Sequence, residues 1–278
     1  MIVGVLFGLA IIGSAVYINR DAFVPPAANT VSNPAPVSTQ LPMTSTHIAR
    51  NLAVGNFICS VDASFPQIDA ASSLSADERT SINQQITDAA AMLIGNGEGK
   101  KGDTPDAQAD AFVAACKSEL TADPTTAIEG WDSTVENDIT QNQDGILSVG
   151  LSWDGFTGGA HPNASSNSLV FDLKTGKRFS NITEIIAPGK TQAVALLIAQ
   201  HLVDEQGTSL FDVDSYDAFI AHPTDAEATK LLTANGQFTL SGDGVSIHYD
   251  PYEIAPYTTG PIDVDLSWDE LNGAVTVK

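Results

Sequence analysis

The segment FTGGAHPN, Phe156 to Asn163, sets a histidine between a glycine pair plus an alanine and a proline. Two roles suit such an imidazole. In one, Gly158 and Gly159 let the backbone approach a ligand at which His161 points. In the other, the glycines take positive φ at a strand bend, Pro162 fixes the exit, and the ring bonds a nearby carbonyl. The second is the expectation adopted here. His47, His201, His222 and His248 show neither HExxH nor close pairing, so no metal site is expected. His201 falls seven residues after Val194 on a helical stripe and is expected to be a satisfied core residue. Ser246 and His248 alternate along one strand and share a face, and no GxSxG elbow accompanies them. The run DVDSYD, Asp212 to Asp217, has alternating acids but lacks the glycine and the closing glutamate of an EF-hand loop. No catalytic residue and no cofactor is assigned. Glycosidase carboxylates pair in space rather than in sequence, so a cell-wall polymer hydrolase stays open as an alternative.

The segment HYDPYEIAPYTTG, His248 to Gly260, concentrates Tyr249, Tyr252 and Tyr257 between Pro251 and Pro256. Tyrosines give large contact area at small entropic cost, and the adjacent Asp250 and Glu253 suit a lysine or arginine on a partner. The other reading is that Tyr252 and Tyr257 close the edge of a core. Cys59 and Cys116 are too few for a four-ligand zinc site. They are a candidate disulfide, with two separate buried thiols as the alternative.

The chain carries 12 Lys+Arg against 34 Asp+Glu, a formal charge of −22. The excess grows toward the end: from Thr191 to Val277 there are fourteen acids and one base, Lys230. Such a surface repels nucleic-acid phosphates and anionic lipid heads and speeds the arrival of a cationic partner. Simple solubility is the plainer reading.

The elements that must position these residues follow from periodicity. The first eighteen residues carry no charge. As a helix, Ile2 to Ile18 would reach about 26 Å, against about 30 Å of bilayer hydrocarbon. Residues 1–18 are therefore expected to be a retained membrane anchor, with a cleaved signal segment as the alternative. The proline-rich residues 19–48 read as an extended tether. A first α+β domain is expected over 49–128. It holds a strand from Val54 to Phe65, a helix opened by the Ser75/Glu78 capping box with Ile82, Ile86, Ala89, Ala90 and Leu93 on one stripe, and a second helix bearing Phe112, Val113 and Cys116. A second domain, 129–278, holds two long strands turning at 142–145, a strand through Leu169 and Phe171, a helix over 191–206, and short strands at 238–240, 245–249 and 262–266. The fold class is α+β: mainly antiparallel sheets with packed helices, in two small tandem domains.

Taken in order, GGAHPN, FDLKTGK (171–177) and YEIAPYTTG (252–260) resemble the C-terminal extracytoplasmic domain of RsiV-type anti-sigma factors and PdaC-type peptidoglycan deacetylases. VDASFPQID with SINQQITDAA is similar to the smaller domain before it. The resemblance covers residues 56–271. It implies an envelope protein with a tandem non-catalytic module, which in RsiV-type members binds lysozyme. No sigma-binding region or deacetylase domain is seen, so those activities are not carried over. The leading expectation is a membrane-tethered envelope protein recognising a cationic, lysozyme-like protein through an acidic surface. The alternative is a peptidoglycan-binding accessory module. Candidate binding residues are His161, Asn163, Asp250, Tyr252, Glu253 and Tyr257.

Overall fold

A computed structural model of the chain describes residues 40–95, 103–122, 130–233 and 237–277. The expected anchor, the tether up to residue 39 and most of the loop GNGEGKKGD lie outside the described residues. Among the described residues no helix is long and apolar enough to cross a membrane.

The fold is α+β, with sheets dominated by antiparallel pairing. A six-stranded sheet runs β1 (Met43–Val54), β2 (Phe57–Ile68), β3 (Asp132–Gln143), β4 (Ile146–Phe156), β5 (Asn163–Asp172), β6 (Lys177–Phe179) in sequence order. Every neighbouring pair is antiparallel except β2 and β3, which run parallel over Ser60–Ala63 and Asp132–Val135. A parallel pair needs a long crossover. Here it contains α1 (Ala76–Ile94) and α2 (Pro105–Ala122).

Both helices pack on one face of the sheet. Ser75 caps α1 through the expected reciprocal bonds with Glu78, and the stripe Ile82, Ile86, Ala89, Ala90, Leu93 is buried. It meets Val61, Ala63 and Phe65 of β2, Val135 of β3, Leu147, Val149, Leu151 and Trp153 of β4, and Leu169 and Phe171 of β5. These β4 and β5 residues recur at period 2 and so share one face, while Ile146 of β4 and Val170 of β5 point into the core on the other side. Cys59 of β2 and Cys116 of α2 are joined in a disulfide, both fully buried beside Leu120.

The opposite face carries a second layer over its β3–β5 part. This layer holds α3 (Thr191–Gln206), α4 (Val213–Ala221), α5 (Asp225–Thr233), a three-stranded antiparallel sheet of β7 (Phe238–Leu240), β8 (Gly244–Tyr249) and β9 (Ile262–Ser267), and the short α6 (Trp268–Leu271). Its core gathers Val194, Ile198 and Leu202 of α3 with Phe238, Leu240, Val245, Ile247, Tyr249, Val264 and Leu266. Polar ties seat β7 on the large sheet: the Leu240 amide donates to Ser148 Oγ at 2.9 Å, and the Ser168 amide to Gln237 Oε1 at 2.6 Å.

Three expectations need correction. The tether ends earlier than residue 48, because Met43 already lies in β1. Val54 to Phe65 is not one strand. Gly55 and Asn56 form a two-residue hairpin loop that pairs Val54 with Phe57, and β2 then continues past Pro66 to Ile68. The β2–β3 ladder stops at Ala63, so Pro66 lies beyond the stretch where that side needs an amide donor. The boundary drawn between 128 and 129 falls within one sheet, and Ser38–Lys278 forms one compact unit.

His201 also departs from expectation. It is partly exposed rather than core, and each ring nitrogen faces a carboxylate at 3.0 Å: Nδ1 that of Glu205, Nε2 that of Glu270 of α6. Carboxylates only accept, so both bonds require the imidazolium. The hydrogen bond to Glu205, followed by that to Glu270, raises the His201 pKa against a partial desolvation penalty. Glu270 is pushed down to about 2 by the Ser267 hydroxyl and amide, then by His201. A raised histidine pKa adds stability that is complete below its ordinary 6.5 and is lost as pH rises through the folded value. The depressed Glu270 adds stability present above its ordinary 4.5 and lost in stronger acid. The α3–α6 contact is therefore strongest between those limits. Thermal melts should show a transition about 1–3 °C higher at pH 6 than at pH 9 from this contact, and His201→Gln should remove that increment.

Candidate functional site

The site is built where β4 returns into β5 and where β8 leaves toward β9. Gly158 and Gly159 take φ of 92° and 100°, the left-handed range that side chains disfavour. They turn the chain so that His161 lies against the loop after β8. That loop has its own left-handed residue, Tyr252, at φ 70°. It is fixed by a reciprocal pair: the Asp250 amide donates to Glu253 Oε2 at 2.9 Å, and the Glu253 amide to the Asp250 carbonyl at 3.1 Å. Asp250 is also tied to the large sheet, its Oδ1 accepting from Ser166 Oγ at 2.8 Å.

Three rings come together from positions some ninety residues apart in sequence. His161 stacks on Tyr257 with centroids 3.9 Å apart and 24° between planes; Tyr252 stacks on Tyr257 at 5.6 Å and 29°. His161 Nδ1 lies 2.8 Å from the Pro162 carbonyl, so the proton sits on Nδ1. Nε2 then accepts from the Tyr252 hydroxyl at 3.3 Å. The Tyr257 hydroxyl donates to the same Pro162 carbonyl at 2.7 Å. Both imidazole nitrogens are thus engaged by loop groups, which fixes the tautomer and the orientation of the ring. What the cluster offers is a rigid aromatic surface. Tyr252 is 55% exposed, so it does not close a core edge; the tyrosine buried in this segment is Tyr249. Its hydroxyl pKa is driven well up by burial, then by Tyr216 and Glu253.

Of the candidate binding residues, the fold brings His161, Tyr252 and Tyr257 into one cluster, with Asp250 and Glu253 shaping its base. Asn163 starts β5, exposed, opposite Gly155. His248 does not engage Ser246. Its Nε2 lies 2.9 Å from Thr239 Oγ1 and its Nδ1 2.6 Å from Asp263 Oδ1, which depresses the Asp263 pKa. Thr239 is buried and therefore not presented to a substrate. Among the described residues no group of three or more His, Cys, Asp or Glu side chains could hold a metal ion.

Sequence reasoning passed over the region beside the cluster. Phe211 is 58% exposed, and its amide donates to the Ile254 carbonyl of the tyrosine loop at 2.9 Å. The run DVDSYD is not a loop: all but its first residue belong to α4. Between α4 and α5 lies a cleft of about 210 Å³ lined by Asp212, Ser215, Tyr216, Phe219, Glu227, Lys230 and Leu231. The fourteen acids of residues 191–277 are exposed, except half-buried Asp250.

Residues 183–269 match the family model described as "Protein of unknown function (DUF3298)". No curated protein matches the chain. Two solved structures are similar. A DUF3298 family member from Bacteroides fragilis NCTC 9343 shares 17% identity, with a TM-score of 0.62 over 86% of this chain and 95% of that one. A DUF3298 family protein from Pseudomonas aeruginosa PAO1 shares 20%, with a TM-score of 0.52 over 86% and 96%. At these identities the likeness is one of fold: the chain matches the DUF3298 model over residues 183–269 and has the fold seen in DUF3298 family proteins.

Proposed function

We propose that this chain is a non-catalytic binding protein of the bacterial cell envelope, held to the membrane by its N-terminal apolar segment, whose C-terminal half receives a cationic protein. The observation that carries this is the solvent-facing stack of His161, Tyr257 and Tyr252, in a C-terminal half whose residues 191–277 hold fourteen acids and one lysine. Rigid aromatics give contact area without a large ordering cost, and the surrounding carboxylates steer a positive partner and reject a negative one. The hydrogen bonds on both His161 nitrogens hold the ring in place, so the stack is ordered before a partner arrives. The resemblance to RsiV-type and PdaC-type proteins suggests lysozyme as the first partner to try.

Titration of the full chain with lysozyme tests this. Binding is expected at 50 mM salt and should weaken by at least about tenfold at 500 mM, where screening shortens the reach of surface charge. Tyr252→Asn keeps a residue that tolerates left-handed φ and removes the ring; it should cost a further ~tenfold. No binding at low salt would defeat the proposal.

The stacked rings also favour a second reading, a peptidoglycan-binding accessory module whose sugar faces lie on Tyr252 and Tyr257. That binding would persist on purified sacculi at high salt.

A further inference from the structure

The cleft between α4 and α5 combines apolar walls with acidic groups. Phe219, Leu231 and the ring of Tyr216 supply apolar walls; Asp212 and Glu227 stand in the lining. Its volume, about 210 Å³, is below the roughly 300–1,000 Å³ of small-molecule sites. It has room for one side chain rather than a cofactor.

Each lining carboxylate is held in place by a neighbouring hydroxyl. Asp212 Oδ2 accepts from Ser215 Oγ at 2.7 Å, and Glu227 Oε2 from Thr224 Oγ1 at 2.7 Å. Neither forms an ion pair among the described residues, and neither does Lys230 in the same lining. Two carboxylates against one ammonium leave the lining negative. Burial, then Asp212 and Glu253, raises the Tyr216 hydroxyl pKa. The cleft therefore feels the same field as the tyrosine loop. Phe211 borders the cleft residue Asp212 on one side and is bonded to Ile254 on the other, so an exposed aromatic joins cleft and loop.

We propose that this cleft is the socket for an arginine or lysine side chain of the partner, resting on the cationic-partner reading above. The aliphatic stem lies against Phe219 and Leu231, as long cationic side chains do on apolar surface. The head group meets Asp212 and Glu227, and a guanidinium also stacks on the Tyr216 ring. Phe211 and Tyr252 contact the partner around it. Interfaces are dominated by a few such anchors in pockets, with arginine enriched among them. Lys230 opposes the incoming charge and holds affinity below what the socket otherwise allows.

The opposed signs of the lining charges give the test. Calorimetry on the full chain compares the wild type, Asp212→Asn/Glu227→Gln and Lys230→Gln, each against lysozyme and against N-acetylargininamide, with the neutral citrulline amide as control. Asn and Gln keep an oxygen that accepts from Ser215 and Thr224, so the helix starts are preserved. The double variant should weaken lysozyme by at least about tenfold, while Lys230→Gln should strengthen it about threefold. N-acetylargininamide should bind the wild type at millimolar concentration, the citrulline amide should not, and the double variant should lose this binding. If lysozyme does not bind the wild type, the functional reading fails and the argininamide arm alone decides the socket. Lysozyme affinity unchanged in the double variant, weakening by Lys230→Gln, or argininamide binding that is absent or indifferent to the double variant overturns the socket.

Discussion

Replacing Cys59 and Cys116 together by alanine should lower stability by about 4 kcal/mol, the loop-closure entropy returned to the unfolded chain when a link across 57 residues is lost. In a domain of this size that is on the order of 10 °C in transition temperature. The bond ties the beginning of β2 to α2, the helix that precedes β3. Alanine is the better substitution than serine, because both positions are fully buried among Leu120, Leu52, Val54, Phe57 and Trp131, where a hydroxyl would lack a partner. Thermal unfolding read by circular dichroism measures the effect. An unchanged midpoint would mean that the link constrains little in the unfolded chain.

Gly244→Ala should cost about 3 kcal/mol, at the upper end for overpacking. A Cβ at this position would stand 2.0 Å from the Leu266 carbonyl oxygen and 2.9 Å from its carbon, both backbone atoms. The neighbour cannot yield cheaply, because Gly244 pairs with Ser267 in the β8–β9 ladder. Gly242 is the internal control: nothing lies within 4 Å of its added Cβ. The damage should reach the site, since β8 runs from Gly244 to Tyr249 directly into the loop bearing Asp250, Tyr252 and Glu253. Chemical denaturation should show Gly244→Ala destabilised and Gly242→Ala near the wild type. Equal behaviour of the two would show that the β8–β9 spacing is looser than described.

Much of the architecture was legible because it rests on local signals. The Ser75/Glu78 box, the α1 stripe and the turn expected at 142–145, which the structure narrows to 144–145, are written in adjacent residues. β1 was not. It is an edge strand in which only Ile48 is buried, so no hydrophobic alternation marks MTSTHIARNLAV. α4 escaped notice for the same reason: Phe219 alone is buried, and its acids drew attention instead. For the site, the glycines around His161 announce a bend, but nothing near it announces Tyr257. His201 sits at a stripe position, yet one of its two carboxylate partners, Glu270, lies 69 residues on. Long-range partners such as these are set by topology rather than by spacing.

The parallel β2–β3 register has a further consequence for handling the molecule. Severing the chain between α2 and β3 would not release two self-sufficient halves. A C-terminal piece would begin with a twelve-residue strand stripped of its neighbour, a bare template for other chains to pair with. It would also lack the helices that cover Leu147, Val149, Leu151 and Phe171. Any soluble fragment meant to report on ligand capture should therefore start ahead of Met43, and the two halves should be inherited, folded and lost together.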